Sequence, residues 1–170
     1  VVTLVSKDSI GTQGDNNSTI PIMSSDGRYI TFTSIADNLV ANDTFIFGEE
    51  LFRHDTQTGT TIKLSVDTTG TLEFNVLWYH DLSDDGRYSV FATQAPLTPN
   101  DNNNTFDIFV RDAQNSTTTL VSPFVGLAPV NVDTDGGSYD PSVSDDGRFV
   151  AFLSEATNLV ANDTNFMTDA

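Results

Sequence analysis

Pro21-Ile22-Met23-Ser24-Ser25-Asp26-Gly27-Arg28-Tyr29-Ile30-Thr31-Phe32-Thr33-Ser34 sets an Asp-Gly pair between a short run and an alternating one. Glycine accepts the positive φ that such a turn needs, so the stretch predicts an antiparallel hairpin. The same stretch returns at 80–93 as HDLSDDGRYSVFAT and at 141–154 as PSVSDDGRFVAFLS. Gly27, Gly86 and Gly147 stand 59 and then 61 residues apart. A period of this size marks a repeat architecture, in which one supersecondary unit recurs and stacks.

Outward from the turn, each copy continues in the same order. A polar connection follows, Ala36-Asp37-Asn38-Leu39-Val40-Ala41-Asn42-Asp43-Thr44 in the first copy and Ala156 to Thr164 in the third. The second copy is looser, Ala95-Pro96-Leu97-Thr98-Pro99-Asn100-Asp101. A third strand is expected over Glu50–Asp55 and Asp107–Asp112, then a tight turn, then a fourth over Thr61–Ser65 and Thr118–Ser122. Four antiparallel strands in a meander make a propeller blade. The fold class is therefore all-β: three repeats of about 59 residues, half of a six-bladed ring. The whole chain, 1–170, reads as one propeller segment. Blade one covers 21–65, blade two 80–122 and a partial blade three 141–170.

Composition agrees. Of 24 acidic residues 20 are Asp, accompanied by 14 Asn, 23 Thr and 15 Ser. Asp, Asn and Ser favour turns, and Thr favours strands. A net charge of −17 repels nucleic acid and anionic membrane surfaces. No apolar run reaches the roughly 18 residues of a membrane span. With no Cys there are no disulfides or thiolate sites.

The three hairpins, together with DIFVRDAQNSTTTLVS at 107–122, resemble the TolB-like, WD-repeat-like β-propeller family. That resemblance implies six blades, a bacterial origin and an exported location: secreted, cell-surface or periplasmic. It does not imply one activity, because a fold hosts many functions. The second copy departs from the pattern, with His80 where the others have Pro21 and Pro141.

Val1-Val2-Thr3-Leu4-Val5-Ser6 matches a fourth strand with nothing before it, and Asp169-Ala170 matches the start of a third. Three blades cannot close a ring. Residues 1–6 are thus expected to be the outer strand of an incomplete blade and a strand for assembly, with copies of the chain or with a parent chain. A closed dimer or a strand-exchanged filament would result. A homo-oligomer is the expected state.

Two loops alternate side-chain oxygens in the manner of a Ca²⁺ site: Asp101, Asn103 and Asp107, and again Asp163, Asn165 and Asp169. Ca²⁺ is the expected cation, and bound cations would relieve the negative self-repulsion. The alternative is that these residues only bond the backbone and shape the turn. Asp133 to Gly137 is a further acidic turn. The first strand of a propeller blade lines the central channel, so His80, Asp81 and Trp78 are the candidate ligand surface. His54 is expected to be an exposed strand residue. Arg28, Arg87 and Arg148 are expected to pair with nearby acidic groups. Asp55 and Asp112 should cap the turn after the third strand.

No H-E-x-x-H or G-x-S-x-G motif occurs, so no catalytic residue is assigned. The sequence reading is a non-enzymatic extracellular or envelope module that self-assembles or joins a longer propeller. Its alternatives are a ligand- or protein-binding platform, and the propeller domain of a larger hydrolase.

Overall fold

The computed structural model describes residues 2–44, 48–70, 76, 79–99, 101, 103–122, 136–160, 163, 165 and 167–170. Ten strands form three antiparallel sheets. The first sheet runs β1 (Ser18–Met23), β2 (Tyr29–Ser34), β3 (Glu50–Asp55) and β4 (Thr61–Lys63) in sequence order. The second repeats it with β5 (His80–Leu82), β6 (Tyr88–Thr93), β7 (Asp107–Asp112) and β8 (Thr117–Leu120). The third pairs β9 (Ser138–Val143) with β10 (Val150–Ser154). These are the expected blades. The fourth strands each end two residues before the sequence reading placed them, at Lys63 and Leu120.

The repeated turn is built the same way three times. Ser24 Oγ donates to Asp26 Oδ1 at 2.7 Å, and the same carboxylate oxygen accepts from Arg28 N–H at 2.9 Å. Ser24 Oγ also accepts from Tyr29 N–H at 2.9 Å, which closes the hairpin. Ser83 with Asp85 and Ser144 with Asp146 repeat the arrangement. Gly27, Gly86 and Gly147 take φ of 71°, 68° and 69°, the left-handed region. The residue before each proline, Ile20 and Asp140, also has positive φ and lies within a register shift of its strand. His80 stands in the proline's place in β5, whose ladder with β6 runs without a shift.

The alternating pattern of β2 does not become one wet and one dry face. Both faces of residues 30–34 are buried. One carries Ile30 and Phe32. The other carries Thr31 and Thr33, with Thr33 hydroxyl-bonded to Thr19 across the sheet at 2.9 Å. The Ile30 and Phe32 face is covered by Val5, Ala36, Leu39 and Val40, and on the other face short hydroxyl side chains satisfy one another. Phe32 stacks on Phe52 with centroids 5.9 Å apart, and Phe91 on Phe109 at 6.2 Å. Leu51 and Leu64 of blade one share a core with Phe91 and Phe109 of blade two.

The segment expected as an outer strand behaves differently. Residues 2–5 form no strand, because no described strand lies beside them to supply ladder partners. Val2 is fully exposed and Leu4 half exposed. Val5 packs on the Ile30, Phe32, Leu39 and Phe52 cluster of blade one. Val1 lies outside the described residues.

Candidate functional site

The joints between blades are the most developed polar geometry in the molecule. Thr61 at the start of β4 donates its hydroxyl to the Lys7 carbonyl of the preceding segment. That hydrogen is spent, so the 2.9 Å contact between Thr61 Oγ1 and His54 Nδ1 has the imidazole donating. Blade two repeats the joint: Thr118 Oγ1 donates to the Val66 carbonyl at 2.7 Å and accepts from Arg111 Nη1 at 3.1 Å. His54 is therefore a buried joint residue, not the exposed strand residue expected. Burial holds its pKa below the ordinary value. The signal was its alignment with Arg111, since both supply a donor to the same threonine.

A second joint sits at the Asp-Gly-Arg turns. A Cβ on Gly86 would lie 2.0 Å from the Tyr29 ring of the blade before it, and one on Gly147 would lie 2.1 Å from Tyr88. Only glycine lets each turn rest on its neighbour's aromatic ring. Arg53 donates to the Gly86 carbonyl, and its guanidinium lies over Tyr29 with Cζ 4.6 Å from the ring centroid. Arg28 Nη2 meets Asp55 Oδ2 at 2.8 Å, and Arg87 Nη2 meets Asp112 Oδ2 at 2.6 Å. Asp55 also accepts from Gln57 and Thr58 N–H, and Asp112 from Gln114 and Asn115 N–H, as turn caps. The hydrogen bond from Arg28 holds the Asp55 carboxyl far below its ordinary range. Arg87 holds Asp112 at about 2.

Among the described residues, the outer turn at Gly27 and the outer ring at Phe149 lack these partners. Phe149, the counterpart of Tyr29 and Tyr88, is 66% exposed, and a Cβ on Gly27 would meet only Met23 Sδ at 3.8 Å. Arg148 approaches Asp146 at 3.8 Å, lies over the Phe149 ring with Cζ 5.3 Å from its centroid, and has its side chain 73% exposed. Among the described residues, the exposed large apolar side chains other than Tyr79 fall within 2–35 or 149–167.

The expected cation loops differ by blade. In blade one, Lys63 Nζ lies 2.7 Å from both Asp43 Oδ1 and Glu50 Oε1, and all three side chains are buried. The matching positions of blade two are Asp101 and Asp107, both buried, with Leu120 opposite Phe109 where Lys63 stands opposite Phe52. Asp107 Oδ1 accepts from Ser122 Oγ at 2.7 Å, and Asn103 Oδ1 accepts from Thr105 N–H at 2.8 Å. In blade three the Asn165 amide donates to both Asp169 oxygens, at 3.2 and 3.1 Å, and Asp163 accepts from Asn165 N–H at 3.3 Å. Asn165 thus spends its amide on the turn instead of offering an oxygen beside Asp169. Among the described residues, no three His, Asp or Glu side chains converge as a metal-holding group. Asp133 to Asp135 lie outside the described residues.

The expected channel surface is also revised. His80 is buried opposite Phe91, on the face that packs against blade one. It makes no hydrogen bond among the described residues, and burial lowers its pKa to about 4. Asp81 instead accepts from Ser142 Oγ and Val143 N–H, each at 2.9 Å, tying β5 to β9. Trp78 lies outside the described residues.

The repeated meander is matched in solved structures. The chain superposes on a putative TolB from Agrobacterium tumefaciens with a TM-score of 0.51 and 17% identity, covering 85% of this chain and 42% of that one. The fold is a partial TolB-like β-propeller. The tricorn protease superposes with a TM-score of 0.50 and 14% identity, over 83% of this chain and 11% of that one. The propeller segment thus spans less than half the length of either protein. No family model and no curated protein matches the sequence. Among the described residues no helix is long and apolar enough to cross a membrane.

Proposed function

We infer that this propeller segment is a non-catalytic interaction module whose two end faces associate with further blades of the same kind, supplied by a second copy or by a parent chain. The observation that carries the reading is the contrast between joints. Inside, glycine turns rest on Tyr29 and Tyr88. At the ends, Phe149 and the Gly27 turn present the two halves of the same joint, with Phe149 exposed and Met23, itself exposed, beside Gly27. Exposed apolar patches of this kind mark association sites. Burial of both histidines leaves neither poised for acid–base work, which favours binding over catalysis. The envelope or extracellular location implied by the family resemblance belongs to the same proposal.

Absolute mass by light scattering tests it, on the wild type and on Gly27→Asn. Asparagine tolerates positive φ, and its Cβ has room in the single chain but would strike an aromatic ring in a joint. The expected result is a wild-type dimer or larger species that Gly27→Asn returns to monomer. A wild type that stays monomeric at all concentrations sinks self-association.

A second reading is favoured by Lys63. An ammonium occupies the acidic pair of blade one, and blade two has a leucine in that register. A hard cation such as Ca²⁺, held by Asp101, Asn103 and Asp107, would balance charge in blade two as Lys63 does in blade one. Isothermal titration of Ca²⁺ into wild type and Leu120→Lys tests this. One binding event lost in Leu120→Lys is expected, and equal titrations in the two proteins would end the reading.

A further inference from the structure

We propose that the cleft between blades one and two, on the side of the Asp-Gly-Arg turns, binds a small zwitterion of the α-amino acid class, its carboxylate on Arg53 and its ammonium on Asp85. Each residue of the cleft belongs to the two four-stranded sheets or their turns, so the site is complete within them and is independent of the association reading above.

Blade one has an arginine where blade two has a valine. Arg53 lies opposite Thr31 in the β2–β3 ladder, and Val110 lies opposite Val90 in the β6–β7 ladder. A valine would close the gap between blades with methyl groups. Arg53 crosses the gap instead. Its Nη1 donates to the Gly86 carbonyl of blade two, and its guanidinium rests on the Tyr29 ring of blade one. These two contacts fix the plane of the guanidinium.

The other edge of that plane decides the ligand's first group. In Arg28 and Arg87 the edge made by Nε and Nη2 holds a carboxylate: Asp55 at 3.2 and 2.8 Å, and Asp112 at 3.0 and 2.6 Å. In Arg53 the same edge meets no carboxylate of the described chain, and its Nε is buried without a hydrogen-bond acceptor among the described residues. A buried donor favours an acceptor, and this edge of arginine matches a planar carboxylate. Arg53 lines a cavity of about 350 Å³ with Tyr29, Asp85, Arg87, Ala113 and Gln114, which leaves room for such a ligand.

The remaining charges decide the second group. Arg87 spends its charge on Asp112. Asp85 Oδ1 accepts from the Ser83 hydroxyl and from Arg87 N–H, and Asp85 Oδ2 makes no hydrogen bond among the described residues. Burial lowers the pKa of Arg53, and Asp85 is among the charges close enough to oppose that shift. A plain carboxylate or a phosphate would set its charge beside Asp85 uncompensated. A ligand with one charge of each sign satisfies both groups.

The test follows the arginine Nε–H signals of the full chain by nuclear magnetic resonance during titration with glycine and, separately, with acetate. Arg53→Lys assigns the Arg53 signal by removing it. The expected result is a saturable shift of that signal with glycine, at a half-saturating concentration at least about tenfold below that of acetate. Asp85→Asn keeps the Oδ1 bonds of the turn and should bring glycine and acetate level. Arg53→Lys keeps the charge but loses the fork, so the glycine-dependent shifts of the Gly86 and Gln114 backbone amides should disappear. No saturable shift of the Arg53 signal with glycine, an equal response to acetate, or an equal shift of the exposed Arg148 signal overturns the inference. All three outcomes are read on the wild type, so they hold whether or not a variant folds. Light scattering on the same samples keeps association separate: a monomer with the glycine response removes self-association alone, and a dimer without it removes this site alone.

Discussion

Lys63→Met is the most informative single substitution in blade one. Lys63 Nζ bridges Asp43 and Glu50 at 2.7 Å each, with side-chain exposures of 6%, 0% and 2% for the three residues. Methionine keeps the length of the side chain and its packing beside Phe52 but deletes the charge. Two carboxylates then remain in a dry site without their cation. Removing one partner of a buried pair costs about 3–5 kcal/mol, because the remaining charge is uncompensated. Against the roughly 5–15 kcal/mol that holds a domain folded, that is a large share. With a urea m-value of about 2 kcal/mol/M, the midpoint should fall by roughly 2 M. Far-ultraviolet circular dichroism during urea titration reads the shift. The second variant, Lys63→Met with Glu50→Gln, should recover part of it, since one stranded charge is gone. Added Ca²⁺ should raise the midpoint of the single variant if a cation can take the ammonium's place. A midpoint shift below about 0.5 M for Lys63→Met would refute the claim that a buried ammonium holds these two carboxylates together.

Other outcomes follow from the joints. Gly86→Asn should destabilise the fold by about 3 kcal/mol or more, because its Cβ collides with the Tyr29 ring, whereas Gly27→Asn should cost under about 1 kcal/mol in the single chain; equal thermal shifts would contradict the turn-on-ring joint. The Arg87–Asp112 pair lowers the folded-state pKa of Asp112, so its stabilisation is complete above the ordinary carboxylate pKa near 3.8 and is lost as pH falls through about 2. After solvent screening it is on the order of 1 kcal/mol, and Asp112→Asn should flatten the acid limb of the stability curve between pH 4 and 2. His80 is buried neutral, with a pKa of about 4 against 6.5. Its contribution is complete above pH 6.5 and disappears as pH falls through 4, a loss of roughly 3 kcal/mol. His80→Leu should remove that slope; an unchanged slope would show that protonation of another group sets it.

The three Asp-Gly-Arg-aromatic turns made the blades legible from sequence, because turn geometry is local. Serine, aspartate and glycine at fixed offsets satisfy the turn's own backbone, and this requires no knowledge of distant residues. The arginine and aspartate pairs and the turn caps at Asp55 and Asp112 were legible for a related reason: the repeat places the same partners at the same offset in both complete blades. The phenylalanine positions of β2, β3, β6 and β7 were readable as core because they recur in register.

What the sequence left open concerns residues whose surroundings come from other strands and connections. His54 read as exposed because it takes the place of Arg111 at a strand end, and only the pairing of β3 with β4 and the packing of the N-terminal segment bring Thr61 and Lys7 to it. His80 read as a channel residue, and only the register with Phe91 turned it into the core. Lys63 looked like an ordinary strand residue, and only the fold closed Asp43 and Glu50 around it. Residues 2–6 carry a fourth-strand sequence, yet a strand needs a neighbouring strand to bond, and composition cannot supply one. Sequence by itself determined the repeat, the meander and the turn, since each is encoded within about 59 residues by short-range hydrogen bonding and alternation. The tertiary structure decided which glycine turn rests on which ring and which hydroxyl meets which carbonyl, because those partners stand on segments far away in the sequence.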